Sequence, residues 1–184
     1  MNEDELKLIN PDGGMAEMFY AFCKAFGEVS GIAGVGVIGL IEGGSFAEKI
    51  ERVLAMREGK DLPAGLVPCS SWWLVNDCGE MVGTIDLRHE LSERLEMYGG
   101  HVGYAVHPDH RGKEYATYML REVMAIAKAK GMGQLLITCD EDNVASQKVI
   151  KKCGGEYQDS VMNEGREVPT QRWWIECDQA SNQV

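Results

Sequence analysis

The sequence predicts a mixed α/β domain, an α+β arrangement around one mixed sheet, and three observations carry that expectation. Short runs rich in branched and aromatic residues, such as Ser70-Ser71-Trp72-Trp73-Leu74-Val75 and Leu135-Leu136-Ile137-Thr138-Cys139, read as strands. Longer stretches, Met15 to Phe26 and Lys113 to Lys130, place apolar residues at helical spacing. The two kinds succeed one another with Gly and Asn punctuation between them, the pattern of a sheet covered by helices.

The elements follow in order. Glu5 to Ile9 is a short first strand, closed by the turn cluster Asn10-Pro11-Asp12-Gly13-Gly14. Met15 to Phe26 is a helix, with Met15, Met18, Phe19, Phe22 and Phe26 as its apolar stripe. Gly27 to Gly44 reads as an apolar loop lining a substrate pocket. It contains Gly34-Val35-Gly36-Val37-Ile38-Gly39, which formally matches a dinucleotide fingerprint. That fingerprint needs a strand before it and a helix opening at its third glycine, and here a helix precedes it. Ser45 caps a second helix, Glu48 completes a capping box, and Ala47, Ile50, Val53, Leu54 and Arg57 carry it to Gly59. Leu62 to Pro68 is a connector.

Ser70 to Asn76 and Glu80 to Arg88 are strands joined by the hairpin turn Asn76-Asp77-Cys78-Gly79. Leu91 to Tyr98 is a short helix or a loop. Gly99-Gly100 leads into a strand from His101 to Val106. A helix from about Lys113 to Lys130 buries Ala116, Met119, Leu120, Val123 and Ala127 and stops at Gly131. Gln134 to Cys139 is a strand. Asp142 or Asn143 caps a helix that runs to Cys153, and Gly154-Gly155 ends it. Glu156 to Met162 and Gln171 to Cys177 are the last strands, joined by Asn163 to Pro169. The predicted order is β-α-α-β-β-β-α-β-α-β-β in one domain over residues 1–184, with 178–184 a loose tail.

Composition removes several classes of function. The 184 residues carry a formal net charge of −11 and no basic patch, which argues against nucleic acid as a partner. Acidity keeps the chain soluble and attracts cationic ligands such as amines. None of the six cysteines forms a C-x-x-C pair, so no metal site is expected, and reduced thiols suit a cytoplasmic protein. Met-Asn-Glu-Asp-Glu is the opposite of a cationic signal-peptide start. The most apolar run, Gly31 to Ile41, is far shorter than the ~20 residues of a membrane span, so no membrane partner is expected.

The chemistry concentrates in His101-Val102-Gly103-Tyr104-Ala105-Val106-His107-Pro108-Asp109-His110-Arg111-Gly112-Lys113-Glu114-Tyr115-Ala116. It is a strand, a tight polar turn and a helix N-terminus. Unpaired amides and the positive end of the helix dipole make such an N-terminus a site for phosphate or pyrophosphate. Arg111 and Lys113 add charge in the same turn, and Gly112 lets backbone approach a ligand closely.

This segment resembles motif A of the GNAT superfamily of N-acetyltransferases, whose helix start reads Gln/Arg-x-x-Gly-x-Gly/Ala and cradles the pyrophosphate of coenzyme A. The matching residues are Arg111, Gly112, Lys113, Glu114, Tyr115 and Ala116. Glu114 departs from the pattern, standing where the family has glycine. A carboxylate there opposes a pyrophosphate unless its side chain swings outward, and positive φ is costly for it. Leu135 to Cys139, followed by Asn143-Val144-Ala145-Ser146 and ending at Cys153-Gly154-Gly155, resembles motif B. The resemblance covers about Ser70 to Cys177. Gly99-Gly100-His101-Val102-Gly103-Tyr104 with Leu87-Arg88-His89 resembles a bacterial subgroup of predicted acetyltransferases.

The resemblance implies the GNAT fold: a mostly antiparallel sheet of 6–7 strands with a V-shaped splay and about four helices. It implies acetyl-CoA as cofactor, bound by Val106, Arg111, Gly112, Lys113, Glu114, Tyr115, Ala116, Asn143 and Ser146. It implies direct attack of a neutral amine on the thioester, with a backbone N–H near Val106 stabilising the oxyanion. For the base, His101 is the first choice, with Glu90, Asp86 and His89 behind it. A hydrogen bond at a strand start is the structural alternative for His101. In many relatives a tyrosine four residues before the glycine ending motif B is the acid, and Ile150 occupies that position here. Tyr115 is the first substitute, with Tyr104 and Tyr157 as others.

The expected activity is acetylation of a small-molecule amine, and a homodimer is compatible with it. Asn143-x-x-Ser146 resembles the ribosomal-protein-acetylating branch, which makes a protein N-terminal or lysine acetyltransferase the alternative. A non-catalytic acyl-CoA sensor is the alternative of another class, favoured by Glu114 and Ile150.

Overall fold

The computed structural model describes residues 6–27, 32, 43–60, 62 and 64–178. Among them the chain runs β1 (Lys7–Ile9), α1 (Ala16–Lys24), α2 (Phe46–Ala55), β2 (Cys69–Val75), β3 (Met81–Arg88), β4 (Val102–Val106), α3 (Tyr115–Ala129), β5 (Gln134–Asp140), α4 (Val144–Lys152), β6 (Glu156–Val161) and β7 (Thr170–Glu176). The Gly34 to Gly39 fingerprint, most of the apolar run Gly31 to Ile41, and the tail beyond Asp178 lie outside the described residues.

Local chemistry accounts for the boundaries. Ser45 forms the expected capping box: its hydroxyl accepts the Glu48 amide at 3.3 Å, and the Glu48 carboxylate accepts the Ser45 amide at 2.6 Å. Asn76 closes the β2–β3 hairpin by accepting the Gly79 amide on its carbonyl and the Glu80 amide on its side chain. The stretch expected as a short helix or loop before Gly99 closes as one π-turn, Leu95–Gly99, whose next residue donates to the Leu95 carbonyl. Helix α3 begins at Tyr115, two residues later than expected, because Glu114 adopts a left-handed conformation that no helix interior accepts.

All strands join one seven-stranded sheet in the order β1-β2-β3-β4-β5-β7-β6. Every pairing is antiparallel except β4 with β5, which run parallel with a register of one pair, Val102↔Ile137. Beyond it the two strands diverge toward their C-terminal ends. The sheet therefore consists of two halves, β1–β4 and β5–β7, touching at a narrow seam and linked covalently through α3.

Alternation along the strands separates two cores. Leu74, Val82, Ile85 and Leu87 pack under Met119, Leu120, Val123 and Met124 of α3 and Ile150 of α4. On the other face Trp73 and Met81 pack with Phe19, Phe22 and Cys23 of α1 and Ile50 and Val53 of α2. Phe19 stacks on Trp73 with ring centres 5.4 Å apart. Among the described residues no helix is long and apolar enough to cross a membrane.

Candidate functional site

Where β4 leaves β5, a cavity of about 790 Å³ lies between β4 and the start of α3 on one side and α4 on the other; no β5 residue lines it. Strand β4 lines it with Tyr104, Ala105 and Val106, the following turn and α3 with His110, Arg111, Gly112, Glu114, Tyr115, Ala116 and Thr117, and α4 with Asn143, Ala145, Ser146, Lys148 and Val149. Phe26 and Ile32 close it from the opposite face of the sheet, so the cavity passes through the sheet rather than resting on one side.

Strand geometry aims the β4 amides. His107 donates its amide to the Val82 carbonyl on β3 at 2.9 Å. Alternate residues of a strand direct their amides to opposite edges, so the Val106 and Tyr104 amides face β5, from which β4 has separated. A donor at Val106 facing the slot is the geometry that oxyanion stabilisation needs.

The loop before α3 has the shape expected of an anion cradle. Gly112 holds φ at 77°, and a Cβ built there meets nothing within 4 Å, so the backbone lies open to a ligand. Glu114, at φ 64°, is the only non-glycine residue with positive φ among the described residues. It keeps the conformation that a glycine would supply, at a strain cost of about 1–2 kcal/mol. Its carboxylate sits 2.7 Å from Lys152 Nζ on α4, and its pKa is lowered by hydrogen bonds from Lys152 and Thr117. The electrostatic objection raised by the sequence is thus reduced by a neutralising partner.

Arg111 lines the cavity with its guanidinium 6.0 Å from the Phe26 ring centre. Lys113 is not among the lining residues; its Nζ lies 3.4 Å from His110 Nδ1. Tyr115 lines the cavity, 6% exposed, stacked 6.2 Å from the His110 ring. Asn143 caps α4, accepting the Ser146 amide at 3.0 Å. Ser146 meets the Tyr104 hydroxyl at 2.6 Å across the slot, and burial pushes the Tyr104 phenol up to about 12. Tyr157 is half exposed on β6 and does not line the cavity, and Ile150 is buried in the core.

His101 lies outside the cavity lining. Its Nδ1 accepts the Leu136 amide at 2.8 Å, its own amide donates to the Leu136 carbonyl at 2.7 Å, and its carbonyl accepts the Arg88 amide. Burial and the Arg88 charge push its pKa down to about 4. With Nδ1 accepting, the remaining proton sits on Nε2. His89 is likewise engaged, 2.8 Å from the Ser70 hydroxyl, its pKa lowered chiefly by burial.

Asp86 differs. It pairs with Ser71 on β2 and Gly103 on β4. It shares a sheet face with Thr84, whose cross-strand partners Trp73 and Ala105 pack into the α1–α2 core. It is 3% exposed, and its Oδ1 has no hydrogen-bond partner among the described residues. Burial pushes its pKa up to about 6, against the opposing effects of a Ser71 hydrogen bond and the Arg88 charge. Gly103, opposite it on the slot strand, has no side chain to cover it.

Sequence reasoning did not single out Lys148, Val149 or Phe26 as cavity residues, whereas Ile32 belongs to the Gly27 to Gly44 loop that it read as a pocket lining. Lys148 follows Ser146 at a spacing typical of any exposed helix, and Phe26 looks like ordinary core stripe. Only the packing of α4 beside β4 identifies Lys148 and Val149, and only the end of the α1 segment, brought over the slot, identifies Phe26.

A family model described as an acetyltransferase (GNAT) domain matches residues 47–156. No curated protein matches the chain in sequence. Among solved structures the chain is similar to the microcin C7 self-immunity acetyltransferase MccE, in complex with acetyl-CoA and AMP. The identity is 13%, covering 95% of this chain and 93% of that one, with a TM-score of 0.64. It is similar to the dodecameric spermidine N-acetyltransferase from Vibrio cholerae at 13% identity, covering 97% of each chain, with a TM-score of 0.65. It is similar to RimL, a ribosomal L7/L12 alpha-N-protein acetyltransferase in complex with coenzyme A, at 13% identity, covering 95% of each chain, with a TM-score of 0.64. At these identities the likeness is one of fold.

Proposed function

Because the chain belongs to the acetyltransferase (GNAT) family, we propose that it transfers an acetyl group from acetyl-CoA to the primary amine of a small molecule by direct attack on the thioester. The observation that carries this reading is the slot opened beside β4 where it leaves β5, with β4 on one wall, α4 on the other and the Gly112 loop and α3 N-terminus at its mouth. The loop residues suit a pyrophosphate: an open glycine backbone, Arg111 at the rim, and a Glu114 carboxylate drawn to Lys152. Bound there, acetyl-CoA supplies the thioester acyl group.

The protein's own residues then have distinct tasks. The Val106 amide stabilises charge developing on the acyl oxygen. Asp86 takes the proton of the incoming ammonium, since His101 and His89 already spend ring nitrogens on hydrogen bonds. An incompletely satisfied buried carboxylate is costly, and such groups concentrate at working sites. The Tyr104–Ser146 hydroxyl pair faces the slot from both walls and returns a proton to the departing thiolate. Tyr115 stands behind it as a second phenol in the cavity wall.

A cationic acceptor suits both Asp86 and the net charge of −11. The protein-amine alternative rests on Asn143-x-x-Ser146, but Asn143 serves here as a helix cap, a structural duty that explains the pair without an acceptor. Calorimetric titration with acetyl-CoA, followed by thiol release over di- and polyamines, amino sugars and peptides with free N-termini, tests the reading. Release with small amines only is expected. Release with peptides only selects the protein-amine alternative, and tight binding without release selects a sensor. The Asp86→Asn substitution should lower kcat/KM by roughly 10²-fold. The wild-type kcat/KM should rise with pH through about 6, as the carboxyl ionises, and the variant should lose that rise.

A further inference from the structure

We propose that His101 is a positioning residue: its imidazole rivets the two halves of the sheet together at the closed end of the slot and thereby fixes the angle at which β4 and β5 diverge. The inference rests on how little else joins the halves edge to edge. Strands β4 and β5 share one register pair, Val102↔Ile137. Immediately before it, both backbone polar groups of Leu136 go to His101, the carbonyl to its amide at 2.7 Å and the amide to its Nδ1 at 2.8 Å. In a regular parallel ladder a backbone carbonyl two residues back would accept that Leu136 amide. Here that carbonyl, Gly100 O, accepts Arg88 Nη1 at 3.0 Å instead, as Gly99 O does at 2.9 Å, and the ring stands in for it.

The surroundings are built for this substitution. Gly100 holds φ at 61°, and a Cβ on it would lie 2.6 Å from the Leu136 carbonyl, so only glycine lets His101 approach. The same residue turns the His101 backbone so that its amide serves β5 while its carbonyl serves Arg88 on β3. His101 thus bonds to both halves at once. The Trp174 ring of β7 lies edge-on to the imidazole, 6.4 Å between ring centres. Burial and the Arg88 charge keep the ring neutral, as an accepting Nδ1 requires.

The effect on turnover rests on the acetyl-transfer reading, but the rivet does not, and the experiment separates them. An asparagine Oδ1 can occupy the place of Nδ1, whereas a glutamine oxygen reaches the place of Nε2. Three variants are compared with wild type: His101→Asn, His101→Gln and His101→Ala. For each, exchange of the Leu136 amide is followed by NMR, and acetyl-CoA affinity and kcat are measured. The expected result is that His101→Asn keeps the amide protected and stays within roughly threefold of wild-type kcat/KM for acetyl-CoA. His101→Gln and His101→Ala should expose the amide and lose about tenfold or more, mainly in affinity. If His101→Ala fails to fold while His101→Asn folds and turns over, the rescue supports the proposal in the same way. A folded His101→Asn with a protected amide and no activity would overturn it in favour of proton transfer by the ring. So would a His101→Ala protein that keeps full protection and affinity. If the wild type binds no acetyl-CoA, the acetyl-transfer reading fails, and the exchange data alone still decide whether the rivet exists.

Discussion

Glu114 is the residue whose sequence and structure pull hardest against each other. The loop demands positive φ, the site favours no negative charge, and the chain supplies a glutamate. Two compensations keep it in place: the ion pair to Lys152 and the hydrogen bond from Thr117. The pair is solvent-exposed, so it offsets only a fraction of the backbone strain. Glu114→Gly should therefore leave stability unchanged or raise it by up to about 1 kcal/mol, and should tighten acetyl-CoA binding several-fold by removing a repelling charge. Thermal melts and calorimetry check both halves. Much of this was legible in the sequence, where Glu114 stands out against the Arg111-Gly112-Lys113 pattern. The partner was not, because Lys152 lies 38 positions away and nothing in a run of helix lysines marks one of them. The same limit hides the duty of His101. Its position at a strand start is readable, but its bond to Leu136 depends on which two strands the fold brings side by side.

At the scale of elements, periodicity and punctuation foretold the helices and strands well and their ends less well. The helix opened by Ser45 is the clearest case, since a capping box is a local device that needs no tertiary partner. Ser45→Ala should cost about 1 kcal/mol of stability, read as a lower denaturant midpoint, and leave acetyl-CoA affinity untouched, because α2 lies away from the slot mouth. The π-turn before Gly100 was not foreseeable. Leu95, Glu96 and Met97 are ordinary helix formers, and nothing in their sequence marks the wider coil that delivers Gly100 beneath Leu136. The divergence of β4 and β5 is equally silent in sequence. Both strands are as apolar as strongly paired ones, and the family resemblance, not hydropathy, led to the expectation of a splay.

The whole molecule balances two buried groups that titrate oppositely. His101 is depressed from 6.5 to about 4, so between those values the unfolded chain binds the extra proton and acidification destabilises the fold. Asp86 is raised from 3.8 to about 6, so between those values the folded chain binds the extra proton and acidification stabilises it. The windows nearly coincide, and the two slopes, each at most about 1.4 kcal/mol per pH unit, oppose one another. Denaturant unfolding of Asp86→Asn should therefore show stability falling more steeply than wild type from pH 6 to 4. The same substitution should raise stability at pH 7, where the wild type holds an ionised carboxylate in its interior. A variant with an unchanged acid slope would count against the raised Asp86 pKa.

The seam between the half-sheets has one more consequence. Strand edges with unanswered amides are what allow separate protein molecules to stack into a common sheet. In this protein the amides that β4 turns away from β3 face a recess flanked by α3 and α4. Helices on either side of that recess shield these amides from pairing with another molecule's sheet.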